Sequence, residues 1–227
     1  QADYKTPVDD NLDTIISNIN DDITKKEKQL NNVLKSYDDR KISRKVNNME
    51  DYVVSYEEAN NIKITKPADL YERPIKDVSI DIDDIIKQES PIHIDTLILR
   101  LRESCNLKRA GTKFKDAINL ALKYSEDEGF IKREGDFLFY NGSKIVLVRK
   151  RVKPNINFIS DAEIKENVLL VLKLQQSVET KKLVKKVANN FGFKSTSKKT
   201  SKRITDVIDY MIGKEEATNN EGHIELL

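Results

Sequence analysis

The densest stretch of chemistry in this chain is residues 194–203. There Lys194, Lys198, Lys199, Lys202 and Arg203 supply five positive charges in ten residues, with Ser197 and Ser201 between them. Ammonium and hydroxyl donors mixed in this way suit phosphate oxygens. They do so above all at the start of a helix, where free backbone N–H groups also favour an anion. An earlier stretch offers similar donors in Lys108, Arg109, Thr112, Lys113 and Lys115. Asp116, Glu126, Asp127 and Glu128 follow it closely, so there the lysines read equally well as a solvated, charge-balanced face. A third basic run, Arg149-Lys150-Arg151 with Lys153, falls in residues 141–158, which hold five basic residues and no acidic one. It suits either a phosphate backbone or a solvated linker. Arg109 and Arg203 are the arginines near the two candidate contact helices, and arginine is the commonest reader of guanine.

Other chemistries find no support. His93 and His223 are the two histidines, far apart, and neither has neighbours at a metal-ligand spacing. A single cysteine, Cys105, excludes an internal disulfide and falls on an apolar helix face, as a small core residue does. The acidic runs Asp81-Ile82-Asp83-Asp84 and Glu126-Asp127-Glu128 read as helix caps or water-facing residues. Seven glycines, none spaced for a phosphate-binding loop, exclude that nucleotide site. The expectation is a chain with no catalytic residue, no metal and no cofactor.

The elements that position the basic residues recur. Residues 79–140 and 159–227 read as two copies of one unit. Leu97 aligns with Leu183, Leu101 with Val187, Cys105 with Phe191 and Leu107 with Phe193, and Lys108 then meets Lys194. An insertion of four residues in the second copy restores the match of Phe114 to Ile204, Ala117 to Val207, Ile118 to Ile208 and Leu122 to Ile212. Both copies close on Glu-Gly, at Glu134-Gly135 and Glu221-Gly222. Helical stripes are Ile82, Ile85 and Ile86, then Leu97 to Cys105, then Phe114 to Leu122 in the first copy. In the second they are Ile164 to Leu172, Leu183 to Phe191, and Ile204 to Met211. Asp95 or His93 opens the second helix of the first copy, and Gly111-Thr112 its third. Phe130-Ile131 and Phe137-Leu138-Phe139 flank a hairpin turn, and residues 144–148 read as an extra strand. Three helices and a hairpin, twice over, give a mainly α chain with small β-hairpins. This is an α+β fold of two tandem winged-helix domains, at 79–153 and 159–227, in which the third helix of each would carry the DNA contacts.

A helical and extended lead-in occupies residues 1–78. Leu12, Ile16, Ile19, Ile23, Leu30 and Val33 form a heptad stripe, which suits packing on the chain itself or a homodimer through residues 9–36. Residues 47–77 read as an extended linker wrapping onto the first domain, with Tyr52-Val53-Val54 as a strand. With 34% charged and 38% apolar residues, the chain is polar but too rich in Ile, Leu and Val to be disordered. No apolar run spans a membrane and no signal peptide is visible, so the expected compartment is cytoplasmic. The Gln at position 1 suits a fragment or a processed start.

Several strings together carry a resemblance: Pro91-Ile92-His93 before Leu97 and Leu101, Asn106-Leu107-Lys108-Arg109-Ala110-Gly111, Gly129-Phe130-Ile131 and Gly135-Asp136-Phe137-Leu138. Ile159-Ser160-Asp161-Ala162-Glu163-Ile164 and Phe191-Gly192-Phe193-Lys194 extend it. Over roughly residues 75–227 the chain resembles a C-terminal domain of unknown function in large bacterial and archaeal helicase-like proteins. These join a superfamily I helicase-type ATPase to a very-short-patch-repair-like endonuclease domain. The resemblance implies a role in DNA processing or defence, beside the helicase and nuclease domains of a parent chain. Where the first copy has Lys108-Arg109-Ala110-Gly111, the second has a longer Lys-Ser-Thr-rich loop from Lys194 to Ser201. The expected function is non-catalytic binding of duplex or junction DNA. The alternative is a protein-interaction scaffold, and a stand-alone transcription regulator is a third reading.

Overall fold

Pro74 sets the backbone for a helix but cannot extend it backward, and the stripe of Val78, Ile82, Ile85 and Ile86 gives that helix a buried side. The computed structural model describes residues 52–143 and 145–227; the heptad stripe and the homodimer surface at 9–36 lie outside them. The first copy runs α2 (Ile75–Glu89), β2 (Ile92–His93), α3 (Ile94–Ser104), α4 (Thr112–Asp127), β3 (Ile131–Glu134) and β4 (Phe137–Tyr140). Before it come β1 (Val53–Ser55) and α1 (Ala68–Tyr71). After it come β5 (Val148–Lys150) and a 3-10 turn at Ile156–Phe158. The second copy is α5 (Asp161–Gln175), β6 (Ser177–Glu179), α6 (Thr180–Asn190), α7 (Lys198–Gly213), β7 (Ala217–Asn220) and β8 (His223–Leu226). Among the described residues the fold is therefore α+β, with seven α-helices and two antiparallel three-stranded sheets of order β2-β4-β3 and β6-β8-β7.

One constant displacement relates the copies throughout: Ile75 to Asp161, Ile94 to Thr180, Thr112 to Lys198, Ile131 to Ala217 and Phe137 to His223. Paired helices have equal lengths of 15, 11 and 16 residues. This corrects the four-residue insertion. Residues 105–111 and 191–197 join the helices with loops of the same length, so the second loop is not longer. Phe114 matches Thr200, and Ile118 matches Ile204. A slip of four residues is just over one helical turn, so it brings one apolar stripe onto another and looks correct in sequence. The turns shift too. Gly135 (φ 58°) corresponds to Glu221 (φ 52°), not to Gly222, and Asn106 (φ 50°) corresponds to Gly192 (φ 97°).

The extra strand expected at 144–148 forms instead at Val148–Lys150, because its hydrogen-bonding partner is β1, with Val53 opposite Val148 in a parallel pair. Val148 packs into the core of the second copy with Ile159, Val168, Val187 and Phe191. The lead-in adds Ala59, Ile64 and Leu70 to the core of the first copy, beside Ile82, Leu97, Phe114 and Ile118. His93 caps α3: its Nδ1 accepts from the Asp95 N–H at 3.1 Å, and its ring meets Phe137 and Phe158 edge-on. Cys105 is buried, and burial pushes its thiol up, away from nucleophilic use.

Two of the acidic residues expected to face water are buried. Asp81 pairs with Arg73 at 2.7 Å and with Lys63 at 3.3 Å. Asp83 accepts from Ser125 Oγ at 2.8 Å, and its Oδ1 has no hydrogen-bond partner among the described residues. Burial pushes the Asp83 carboxyl up to about 6, with Asp84 adding and the Ser125 bond opposing. A raised value stabilises the fold fully below the ordinary carboxylate pKa, near about 3.9, and that contribution is lost as pH rises through about 6. Asp83→Asn is therefore expected to be more stable than the wild type by about 1–3 kcal/mol near about pH 8 and no more stable near about pH 3. Urea titrations at the two pH values check this.

Candidate nucleic-acid interface

α7 begins where Ser197 Oγ accepts from the Thr200 N–H at 3.1 Å, while the buried Thr200 hydroxyl lies 3.0 Å from the same oxygen. This cap fixes the first turn, which holds Lys198 and Lys199 and no acid. Lys194, Ser197, Lys198 and Lys199 are exposed there, and Ser201 is half-buried. Lys202 is shared with Asp206 at 2.8 Å. Arg203 donates to Asp161 at 2.7 Å and to the Ile159 carbonyl at 3.2 Å, which occupies the second copy's candidate base reader. Lys165, Lys199, Lys202 and Tyr210 line one cleft of about 700 Å³, and Glu134 of the first copy's hairpin lies on its other side.

In the first copy, Lys108, Arg109, Thr112, Lys113 and Lys115 are all exposed. α4 starts at Gly111 without a side-chain cap. Lys113 Nζ sits 4.2 Å from the centre of the Tyr71 ring on α1, so the lead-in flanks this helix start. Asp116 is exposed next to Lys115, and Leu120 lies 60% exposed one turn further on.

The third basic run has a different job from the one its composition suggests, and two of its three residues leave the phosphate-binding set. Arg149 is buried. It donates to Glu163 Oε2 at 2.8 Å, to the Glu89 carbonyl at 2.7 Å and to the Pro91 carbonyl at 2.8 Å. Arg151 donates to both Glu163 oxygens at 2.9 Å. Both guanidiniums also lie over the Tyr56 ring, at 4.9 and 4.5 Å. Tyr56 donates to Glu89 Oε2, and the other oxygen of Glu89 receives Ala59 N–H at 2.9 Å and Arg100 Nε at 3.0 Å. Burial, with Glu89 beside it, pushes the Tyr56 phenol far above its ordinary range, so it stays a donor. The network joins the first copy, the lead-in and the second copy. Lys150 and Lys153 remain exposed.

The sequence reading passed over Tyr56, Glu89 and Arg100 and saw Glu163 only as part of a helix cap, because their partners are far away in the chain. It also passed over Lys181, Lys182 and Lys185, all exposed on α6. A signal for these was present, since residues 180–205 contain nine basic residues and no acidic one. Among the described residues, no group of His, Cys, Asp and Glu could hold a metal ion, and no helix is long and apolar enough to cross a membrane.

The fold and the surface define an α+β chain with a duplicated unit, one copy of which carries an acid-free basic stretch at residues 180–205. Residues 68–116 match a family described as "Protein of unknown function (DUF3320)", so a domain of unknown function covers α1 through the first turn of α4. No curated protein and no solved structure matches the chain.

Proposed function

We propose that the two copies are tandem winged helices and that the chain is a non-catalytic accessory region of a helicase–nuclease type protein, engaging duplex or junction DNA through phosphates. The element order of helix, strand, helix, helix and hairpin, with the short strand beside the last one, supports the winged-helix reading. The observation that carries DNA binding is the capped start of α7. There Lys194, Lys198 and Lys199 are exposed and have no acidic partner among the described residues. Cations at a helix start oppose the dipole of their own helix, and a phosphate seated among them removes that conflict. For the first copy, Leu120 exposed beside Asp116 favours the alternative, docking of a protein or of the parent's other domains.

The test is fluorescence anisotropy of a labelled duplex and a labelled fork against the chain at low and high salt. Binding is expected at low salt and falls steeply with added salt. A variant carrying Lys194→Glu, Lys198→Glu and Lys199→Glu loses it by roughly tenfold or more. No binding at low salt would sink the DNA reading and leave the scaffold.

A further inference from the structure

We propose that the DNA-binding face of the second copy extends across α6, and that it holds duplex DNA by its backbone without reading base sequence. The proposal rests on the reading that this copy binds DNA. Lys181, Lys182 and Lys185 on α6 would form its second half and Lys194, Lys198 and Lys199 its first, since α6 and α7 pack against each other in the core of the second copy.

The two copies serve as an internal control. α3 and α6 have the same length and place in the fold. α3 carries Asp95 and Glu103 as well as Arg100 and Arg102, and its Arg100 is buried against Glu89. α6 buries Leu183, Val184, Val187 and Ala188 and turns lysines outward with no acid in the helix. The fold therefore does not require this charge. Lys182 is shared with Glu179 at 3.0 Å, but Lys181 and Lys185 have no acidic partner among the described residues and stand one turn apart, where like charges repel. A polyanion relieves that repulsion at all of these positions together.

Backbone contact without base readout follows from α7. Arg203, the single arginine of the second copy, is held by Asp161 and the Ile159 carbonyl. One flank of the helix faces Glu134 and Asn157 across the cleft. A helix in the major groove, about 12 Å wide, has phosphates along both flanks, and Glu134 and Asp206 would repel one of those rows. The start of α7, the turn before it and α6 are free of acidic side chains. An anionic membrane fits less well, because the apolar side of α6 is buried in the core and cannot enter lipid.

The experiment titrates the full chain with a mixed-sequence duplex over a range of salt. It is repeated with a Lys181→Gln, Lys182→Gln, Lys185→Gln variant, whose thermal unfolding should match the wild type because the three side chains are exposed. The slope of log affinity against log salt is expected to fall by about 0.9 per lost phosphate contact, roughly two to three in all. Duplexes of only A·T and only G·C pairs are expected to bind equally. An unchanged slope in this variant, with binding lost in the Lys194/Lys198/Lys199 variant, confines the contact to α7 and overturns the inference while DNA binding stands. A tenfold or larger preference between the two duplexes overturns the backbone-only mode. Absence of duplex binding by the wild type, or capture only by phosphatidylserine vesicles or polyglutamate, overturns both readings.

Discussion

Replacing Glu163 by alanine is expected to lower unfolding stability by about 3–5 kcal/mol, enough to leave the chain largely unfolded at moderate urea. Glu163 is fully buried, and its carboxylate accepts hydrogen bonds from Arg149 and Arg151 at distances of 2.8 to 3.3 Å, while its backbone N–H donates to the cap oxygen of Ser160 at 3.1 Å. Removing it strands two guanidiniums with little access to water. Glu163→Gln keeps the shape and isolates the charge, so it should lose less. The pH dependence has a definite sign. Burial pushes the Glu163 carboxyl up, but Arg151 and Arg149 more than offset this and hold it below its ordinary value. A lowered value gives stability that is complete above the unfolded carboxylate pKa, near about 4.3, and is lost as pH falls through the lower folded value. The gap between the wild type and Glu163→Gln should therefore be full at neutral pH and shrink in acid, as read from urea midpoints across pH.

Gly192→Ala is expected to cost about 2–4 kcal/mol, far more than a change of one methyl on a surface turn. Gly192 has φ near 97°, and a Cβ there would lie 2.2 Å from the Arg151 carbonyl oxygen, a backbone atom that cannot swing aside. The turn is held against Arg151, just past β5, because Arg151 N–H donates to the Phe191 carbonyl at 3.0 Å. Only hydrogen fits between them. The first copy supplies the comparison. Asn106 occupies the corresponding turn at φ 50°, so it pays only for left-handed backbone, and Asn106→Ala should cost about 1 kcal/mol. Equal losses at the two positions, measured by urea unfolding, would show that backbone conformation and not the Arg151 contact sets the cost.

Much of the local architecture was legible because burial imposes a period. Leu97 and Leu101, Leu183 and Val187, and Ile204 and Ile208 announce helices with one apolar side, and the sheet turns lie where Gly135 and Gly222 suggest. The same period hid the register of α4 against α7, since a shift of about one turn preserves the stripe. Charge was legible as composition and not as placement. Arg149 and Lys150 are neighbours in sequence, yet one is buried against Glu163 and the other meets solvent, because alternate residues of a strand point to opposite sides. Arg203 looked free because Asp161, which occupies it, lies in another helix. Lys198 and Lys199 were readable as surface cations because nothing nearby in sequence neutralises them. Asp83 was misread because its helix turns it toward Ser125 of α4.

The pairing of β1 with β5 has a consequence for the order of events in folding. It joins Val53 to Val148, with the whole of the first copy enclosed between them. Each copy can gather its own helices and hairpin from contacts close in sequence, whereas this pair must close a long loop before any bond is gained. The strand also brings Arg149 and Arg151 to Glu163, so seating it and neutralising that carboxylate are one step. Loop closure therefore predicts that the joint between the copies acts as a latch, set after both halves have formed and released before either comes apart.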